Sequence, residues 1–298
     1  MSKVAIMTDS NSGITQSQAK TLGIRVIPMP FMINGSEYRE DINLTQEKFY
    51  ELLANNAEVS TSQPSVAYVA SVWDELLEEY DEIVYIPMSS GLSKSYASAD
   101  YCAKTEYSGK VYVVDNQRIS ISQRQSVMDA IVMASKGFTA KEIHDRLIEY
   151  KMHSDIYVMV DTLYYLKKGG RITPSAAAVG NLLKIKPILL IKGEKLDKYK
   201  MMNRTVSNGK RVLLDSVIDN INGYLKEIDG RDNNCRIAVA YSGTDNTVAL
   251  ELKEMILQKY PTMDVVCDPL SLSVSCHIGP GALGISVCKA IPENDIEL

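Results

Sequence analysis

Short apolar runs alternate with stretches whose apolar side chains recur at helical spacing through the first half of the chain. Val4 to Met7 is such a run and reads as a buried strand ending in Thr8-Asp9-Ser10. A helix over about Thr15 to Leu22 and a strand over Arg25 to Pro28 follow. Asn34-Gly35 marks a hairpin between Phe31 and Tyr38. Thr45 opens a helix toward Asn55. Ser65 opens another, with Val66, Val69, Trp73, Leu76 and Leu77 on one face. Ile83 to Pro87 and Val111 to Asp115 are strands separated by a helix after Ser93, and two more helices follow, the second started by the Thr139 and Glu142 capping box.

The pattern changes past Ser154. Ile156 to Val160 is a strand, and Tyr164 to Lys168 is a short helix stopped by Gly169-Gly170. Thr173-Pro174 starts a helix, with threonine as cap and proline in the first turn. Ile185 to Lys192 and Lys195 to Thr205 read as a strand pair across Gly193. A long helix over about Gly209 to Lys226, a strand at Arg236 to Tyr241, a helix from Thr244 to Lys259 and a strand at Asp264 to Val266 complete the series. His277 to Gly281 then reads as a loop before a last strand, Ala282 to Lys289, and the tail Glu293 to Leu298 reads as frayed. Alternation in the first half implies a parallel sheet covered on both faces. The expected fold is therefore α/β: a parallel-sheet domain over residues 1–154, then a smaller α+β domain with a mixed or antiparallel sheet over residues 155–298.

Composition narrows the class. A chain of 298 residues with 45% hydrophobic and 23% charged residues is ordinary for a globular protein of two domains. A net charge of -5 and the lack of a basic cluster argue against nucleic acid or anionic membrane as a partner. The start, MSKVAIMTDS, does not read as a signal peptide, and no apolar run reaches the length of a transmembrane segment. Five cysteines without a CxxC pair, and three histidines, give no metal-ligand spacing. With no signal, the odd cysteine count is expected of reduced thiols in the cytoplasm.

Met88-Ser89-Ser90-Gly91-Leu92-Ser93 is a small polar loop between a strand and a helix. Such a junction aims helix N–H groups into the loop, where they attract an anion, and the serines add hydroxyl donors. It is neither a Walker A loop nor a nucleophile elbow. A serine-capped helix without a ligand reads equally well from these residues. Thr61-Ser62-Gln63-Pro64-Ser65 is a second polar loop, in which Ser65 serves as a cap and Thr61 and Ser62 keep their hydroxyls for a ligand. Arg171, after Gly169-Gly170, is a natural partner for a carboxylate, or a solvated arginine. His277 precedes Gly279-Pro280-Gly281, whose glycines permit close approach of the backbone. Read as strand neighbours, Cys276 and His277 point to opposite faces, which disfavours a Cys–His couple. Asp9 ends the first strand at the edge where ligands bind in open α/β folds. It organises loops by accepting N–H bonds, and as a metal ligand it has no second carboxylate spaced to help it.

Together these segments resemble the DegV family. The matching pieces are Thr8-Asp9-Ser10, Thr61-Ser62-Gln63-Pro64-Ser65, Ser89-Ser90-Gly91-Leu92-Ser93, Val114-Asp115, Gly170-Arg171-Ile172, Lys186-Pro187-Ile188, Arg204-Thr205 and His277 with Gly279-Pro280-Gly281-Ala282-Leu283-Gly284. They occur in order over nearly the whole chain. The resemblance, to the fatty-acid-binding subunit of bacterial fatty acid kinase, implies a non-catalytic lipid carrier with no cofactor. The acyl chain of a long-chain fatty acid would lie in an apolar tunnel between the domains. Its carboxylate would be held by Thr61, Ser62, Ser93 and helix N–H groups, with His277 and Arg171 in support. A separate fatty acid kinase catalytic subunit, docking at Arg204, would use ATP to make an acyl phosphate for phospholipid synthesis. Lys94 and Cys276 stand where glycine and threonine are usual in the family. The alternative is a hydrolase or acyltransferase using Ser93 with His277 on an acyl ester or thioester, although no third triad member is evident.

Overall fold

The computed structural model describes residues 2–178, 186–193, 196–203, 208–216, 219 and 235–291. Its first sheet has four parallel strands in the order β2-β1-β6-β7, where β1 is Val4–Asp9, β2 Arg25–Ile27, β6 Glu82–Ile86 and β7 Val111–Val113. Parallel pairing buries both faces, and the side-chain alternation shows how. Ile6, Val84 and Ile86 pack with helices α5 (Ile121–Ser135) and α6 (Ala140–Glu149). Ala5, Met7, Ile83 and Tyr85 pack on the other face with α3 (Val66–Leu77) and α4 (Ser95–Glu106), around fully buried Trp73.

Local signals place these helices. Thr15 and Gln18 form a capping box on α1 (Gln16–Leu22), and Thr139 and Glu142 form another on α6. Thr45 caps α2 (Gln46–Ala54), and Ser65 caps α3. The Asn34-Gly35 hairpin joins β3 (Pro30–Ile33) to β4 (Ser36–Arg39). A third strand, β5 (Val59–Thr61), pairs with β3 and makes a small antiparallel sheet that the sequence pattern did not suggest. This sheet carries Thr61 to its edge.

From Ser154 onward the chain builds a six-stranded mixed sheet in the order β10-β9-β8-β13-β11-β12. The strands are β8 (Ser154–Met159), β9 (Lys186–Ile191), β10 (Asp197–Asn203), β11 (Cys235–Tyr241), β12 (Val265–Pro269) and β13 (Leu283–Lys289). Only β11 and β12 pair in parallel. One face packs on α10 (Thr247–Lys259) and on Leu213 of a helical segment, α9, at residues 208–216. The other face carries Val158, Leu189, Ile191 and Ala240. It meets Leu92 and Ile119 from the first half of the chain, along with helices α7 (Tyr164–Gly169), α8 (Pro174–Ala178) and α11 (Leu272–Ile278).

Helix α11 corrects the sequence reading. Cys276 and His277 lie in this helix and not on a strand or in a loop. The sequence Leu272-Ser273-Val274-Ser275-Cys276-His277-Ile278 alternates as a strand would, but residues 272–275 are buried on every side, so no helical period is left to detect. Arg204, expected at a partner surface, and the continuation of the helix toward Lys226 lie outside the described residues.

Candidate functional site

A cavity of about 730 Å³ opens between the serine loop, the end of β5 and helices α7 and α11. Thr61, Ser62, Ser93, Arg171 and His277 all line it, as do Asn11, Lys94 and Ser273 at its polar end. Ile119, Leu166, Ile191, Leu196, Val274 and Ile278 form its apolar part. Five residues drawn from segments across more than two hundred positions thus meet in one pocket of ligand size.

Thr61 and His277 are in direct contact. Thr61 Oγ1 lies 2.8 Å from His277 Nε2. Burial, aided by the nearby Arg171 charge, holds His277 down to about 4, so the ring is neutral at physiological pH. Its other edge rests against Gly169. A Cβ built on Gly169 would clash with His277 Nδ1, although the backbone there is not left-handed. The Gly169-Gly170 pair therefore does two jobs. Gly170, at φ 69°, ends α7, and Gly169 makes room for the histidine.

Arg171 is half-buried. It donates through Nε to the Leu92 carbonyl at 3.4 Å and through Nη1 to the Gly169 carbonyl. Among the described residues it has no carboxylate partner. A half-buried cation held by backbone carbonyls alone keeps its charge available to an anion in the cavity.

The serine loop uses several of its own groups to hold its shape. Leu92 and Ser93 N–H both donate to the Ser89 carbonyl, at 3.0 and 3.1 Å. Gly91 N–H donates to Ser89 Oγ at 3.2 Å, and Ser95 N–H to Ser93 Oγ at 3.1 Å. The amides of Gly91, Leu92, Ser93 and Ser95 thus close within the loop, while Ser90 N–H donates to Asp115 Oδ1 at 3.3 Å. Ser93 offers its hydroxyl, which is 2.8 Å from Ser95 Oγ. Ser62 stands exposed at the mouth, and Lys94 lies in the N-cap position of α4 without capping it. Ser90 is tied to Asp115 by its hydroxyl at 2.8 Å, and Ser89 to the Gly193 carbonyl at 2.9 Å. Both serines brace the loop.

Beneath the pocket lies a buried network. Asp9 accepts hydrogen bonds from Met88 N–H at 2.9 Å, Asn11 N–H at 3.0 Å and Gln123 Nε2 at 3.2 Å, and burial raises its pKa. It ties the serine loop to β1, as an acceptor at this sheet edge was expected to do. The sequence offered it no second carboxylate, but the fold brings Glu40 close enough for the two charges to interact. Glu40 accepts from Ser10 Oγ at 2.6 Å and from Leu272 N–H, and burial pushes it up to about 7. Among the described residues, no three acidic, histidine or cysteine side chains gather as a metal site. Glu40, Asn11 and Ser273 carried no local signal, because each acts through a partner distant in the chain.

Cys276 packs against the cluster of Met29, Phe31 and Phe49, and burial pushes its thiol up to about 11. It is a poor nucleophile. Ser93 and His277 share no hydrogen bond among the described residues, since the ring faces Thr61.

A family model described as an uncharacterised protein of the DegV family matches residues 3–290. The chain belongs to the DegV family. A DegV domain-containing protein of Staphylococcus aureus is 29% identical over 289 residues, covering 97% of this chain and 100% of the relative. The crystal structure of DegV from Bacillus subtilis, described as a fatty acid binding protein, superposes with a TM-score of 0.85 at 27% identity. The match covers 97% of this chain and 100% of that one. A DegV family protein from Thermus thermophilus, described for its fatty acid binding, gives a TM-score of 0.85 at 26% identity, covering 96% and 99%. As in these DegV neighbours, the fold is α/β with one parallel and one mixed sheet. Among the described residues no helix is long and apolar enough to cross a membrane.

Proposed function

We propose that this DegV family member is a non-catalytic carrier of a long-chain fatty acid. It buries the acyl chain and presents the carboxylate to a separate ATP-dependent kinase subunit, which converts it to an acyl phosphate for phospholipid synthesis. The observation that carries the reading is the polarity difference between two adjoining spaces that share part of their lining. Thr61, Ser93, His277 and Arg171 surround one end of the cavity. Ile119, Ile191, Val274 and Ile278 lead from the other end into a second, wholly apolar-floored chamber, of which they are also part. The fatty-acid-binding descriptions of the Bacillus subtilis and Thermus thermophilus relatives support the same ligand class.

The head-group chemistry follows from protonation. A carboxylate accepts hydrogen bonds only. For Thr61 to donate to it, Thr61 Oγ1 must accept from His277, so the neutral ring carries its proton on Nε2. Ser93 accepts from Ser95 N–H, and with Ser95 Oγ donating in their mutual contact it keeps its own proton for the ligand. Arg171 supplies the balancing charge. Burial of methylenes contributes about 0.8 kcal/mol each, so the chain supplies most of the affinity and the polar end sets direction. A hydrolase reading has less support, because His277 bonds to Thr61 and not to Ser93.

Mass spectrometry of an organic extract from gently purified protein tests the proposal. A stoichiometric long-chain fatty acid supports it. A phosphorylated metabolite in its place, or failure of delipidated protein to bind any long-chain acid, overturns it. The kinase step is tested by adding a fatty acid kinase catalytic subunit and ATP to the loaded protein and looking for acyl phosphate.

A further inference from the structure

The head-group cavity carries more positive charge than a fatty acid carboxylate needs. Among the described residues its lining includes two cations, Arg171 and Lys94, and no aspartate or glutamate. His277, also in the lining, is held neutral by burial. The acidic groups bonded to the serine loop serve its shape. Asp9 accepts from Met88 N–H at 2.9 Å, and Asp115 accepts from Ser90 N–H at 3.3 Å and from Ser90 Oγ at 2.8 Å. Neither lines the cavity. Two positive charges therefore face one negative charge when a carboxylate is bound. The two cations also differ in place. Arg171 is half-buried, fixed by the Leu92 and Gly169 carbonyls, and close enough to His277 for its charge to act on the ring. Lys94 is exposed and follows Ser93 directly, so it stands at the rim. Gln63 Nε2 donates to Ser98 Oγ at 3.1 Å, which fastens the loop carrying Thr61 and Ser62 to the helix that Lys94 begins. Lys94 spends nothing on that helix, and among the described residues its ammonium has no acidic partner.

A phosphoryl group joined to the carboxyl oxygen carries about two negative charges near neutral pH. It also extends outward from the groups around Thr61, toward the side from which a phosphoryl donor has to approach. We propose that Lys94 is a specificity residue that makes the cavity bind an acyl phosphate more tightly than the parent fatty acid, by pairing its ammonium with the phosphoryl group at the rim. This specificity rests on the fatty-acid reading given above. Lysine suits the place, because a compact ammonium on a flexible stem meets a phosphate as a point charge without a fixed approach. The acyl chain keeps all of its apolar contacts after phosphorylation and the head group gains an ion pair, so the product stays on the carrier.

The test is direct titration of delipidated protein with palmitic acid and with 2-oxoheptadecylphosphonate, in which a methylene replaces the oxygen between the same acyl group and phosphorus. It is run at about pH 8, where the phosphonate is a dianion. The parent is expected to bind the phosphonate about fivefold tighter than palmitate, the worth of one partly exposed ion pair. Lys94→Gln is expected to bring the two Kd values together, and Lys94→Arg, which keeps the charge, is expected to keep the preference. Salt at about 1 M should narrow the ratio in the parent and leave it unchanged in Lys94→Gln. If palmitate binds and the phosphonate is not preferred, or if Lys94→Gln leaves the ratio unchanged, or if Lys94→Arg loses it as fully as Lys94→Gln, the role of Lys94 is refuted and the carrier reading stands. If palmitate does not bind at all, the carrier reading fails and this inference with it.

Discussion

Thr61 Oγ1 and His277 Nε2 lie 2.8 Å apart although 216 residues separate them in the sequence. The contact joins the edge of the small β3–β5 sheet to helix α11, so a head group bound there touches both halves of the chain. Replacing Thr61 with Val keeps the shape and removes the donor. A hydrogen bond to a charged group contributes about 1.5–3 kcal/mol, so Thr61→Val should weaken fatty acid binding roughly tenfold or more. His277→Ala should do the same by leaving Thr61 without its acceptor role filled. Isothermal titration with a long-chain acid reads both, and unchanged affinity in either variant would show that the carboxylate lies elsewhere.

Gly169→Ala separates packing from backbone strain. The position is helical and not left-handed, so alanine should raise local helix stability by about 0.5–1 kcal/mol. Its Cβ, however, falls on the His277 ring and must push it from Thr61. The expected variant is at least as stable to heat as the parent yet binds fatty acid more weakly. A variant that binds as well as the parent would mean the ring position is unimportant.

Glu40 and His277 predict opposite pH effects on stability. Glu40 is raised from 4.5 to about 7, so between these values the folded protein holds a proton that the unfolded chain has lost, and stability falls as pH rises. His277 is lowered from 6.5 to about 4, so in its window the unfolded chain holds the extra proton, and stability falls as pH drops. In the parent the two largely offset between pH 5 and 6.5. Glu40→Gln should uncover the histidine slope. The difference in unfolding free energy between parent and Glu40→Gln should shift against the parent by about 3 kcal/mol from pH 4 to pH 8. Urea melts across that range measure it, and parallel profiles would show that Glu40 does not titrate in this window.

Much of this was legible in the sequence, and the exceptions share one cause. The caps at Thr15, Thr45, Ser65 and Thr139 are local, and each starts the helix it was expected to start. The parallel strands announced themselves as continuous apolar runs because they are buried on both faces. Helix α11 was hidden for the same reason, since burial all round erases the polar stripe. Its start is held by Glu40, which accepts the Leu272 N–H from 232 residues away, while Ser271 makes no cap. The amides of Gly91, Leu92, Ser93 and Ser95 close within the serine loop, a geometry that depends on how the Ser89 carbonyl and the Ser89 and Ser93 hydroxyls turn. Short-range chemistry was readable, and contacts made only by folding were not.

The shared wall of the two spaces makes a quantitative prediction about chain length. Each methylene moved from water to an apolar wall contributes about 0.8 kcal/mol, or about fourfold in affinity. A series of saturated acids should therefore gain about fourfold per carbon until the tail reaches Ile119, Ile191, Val274 and Ile278, the residues common to both spaces. Entry into the narrow chamber requires these side chains to rotate aside, so the gain per carbon should drop where the tail first meets them. Ala240 lies in the chamber wall, and Ala240→Leu should fill that space and abolish the remaining gain for acids longer than the break. Titration of delipidated parent and variant with the same series decides it. Equal gains beyond the break in both would place the acyl tail in the open cavity and not in the chamber.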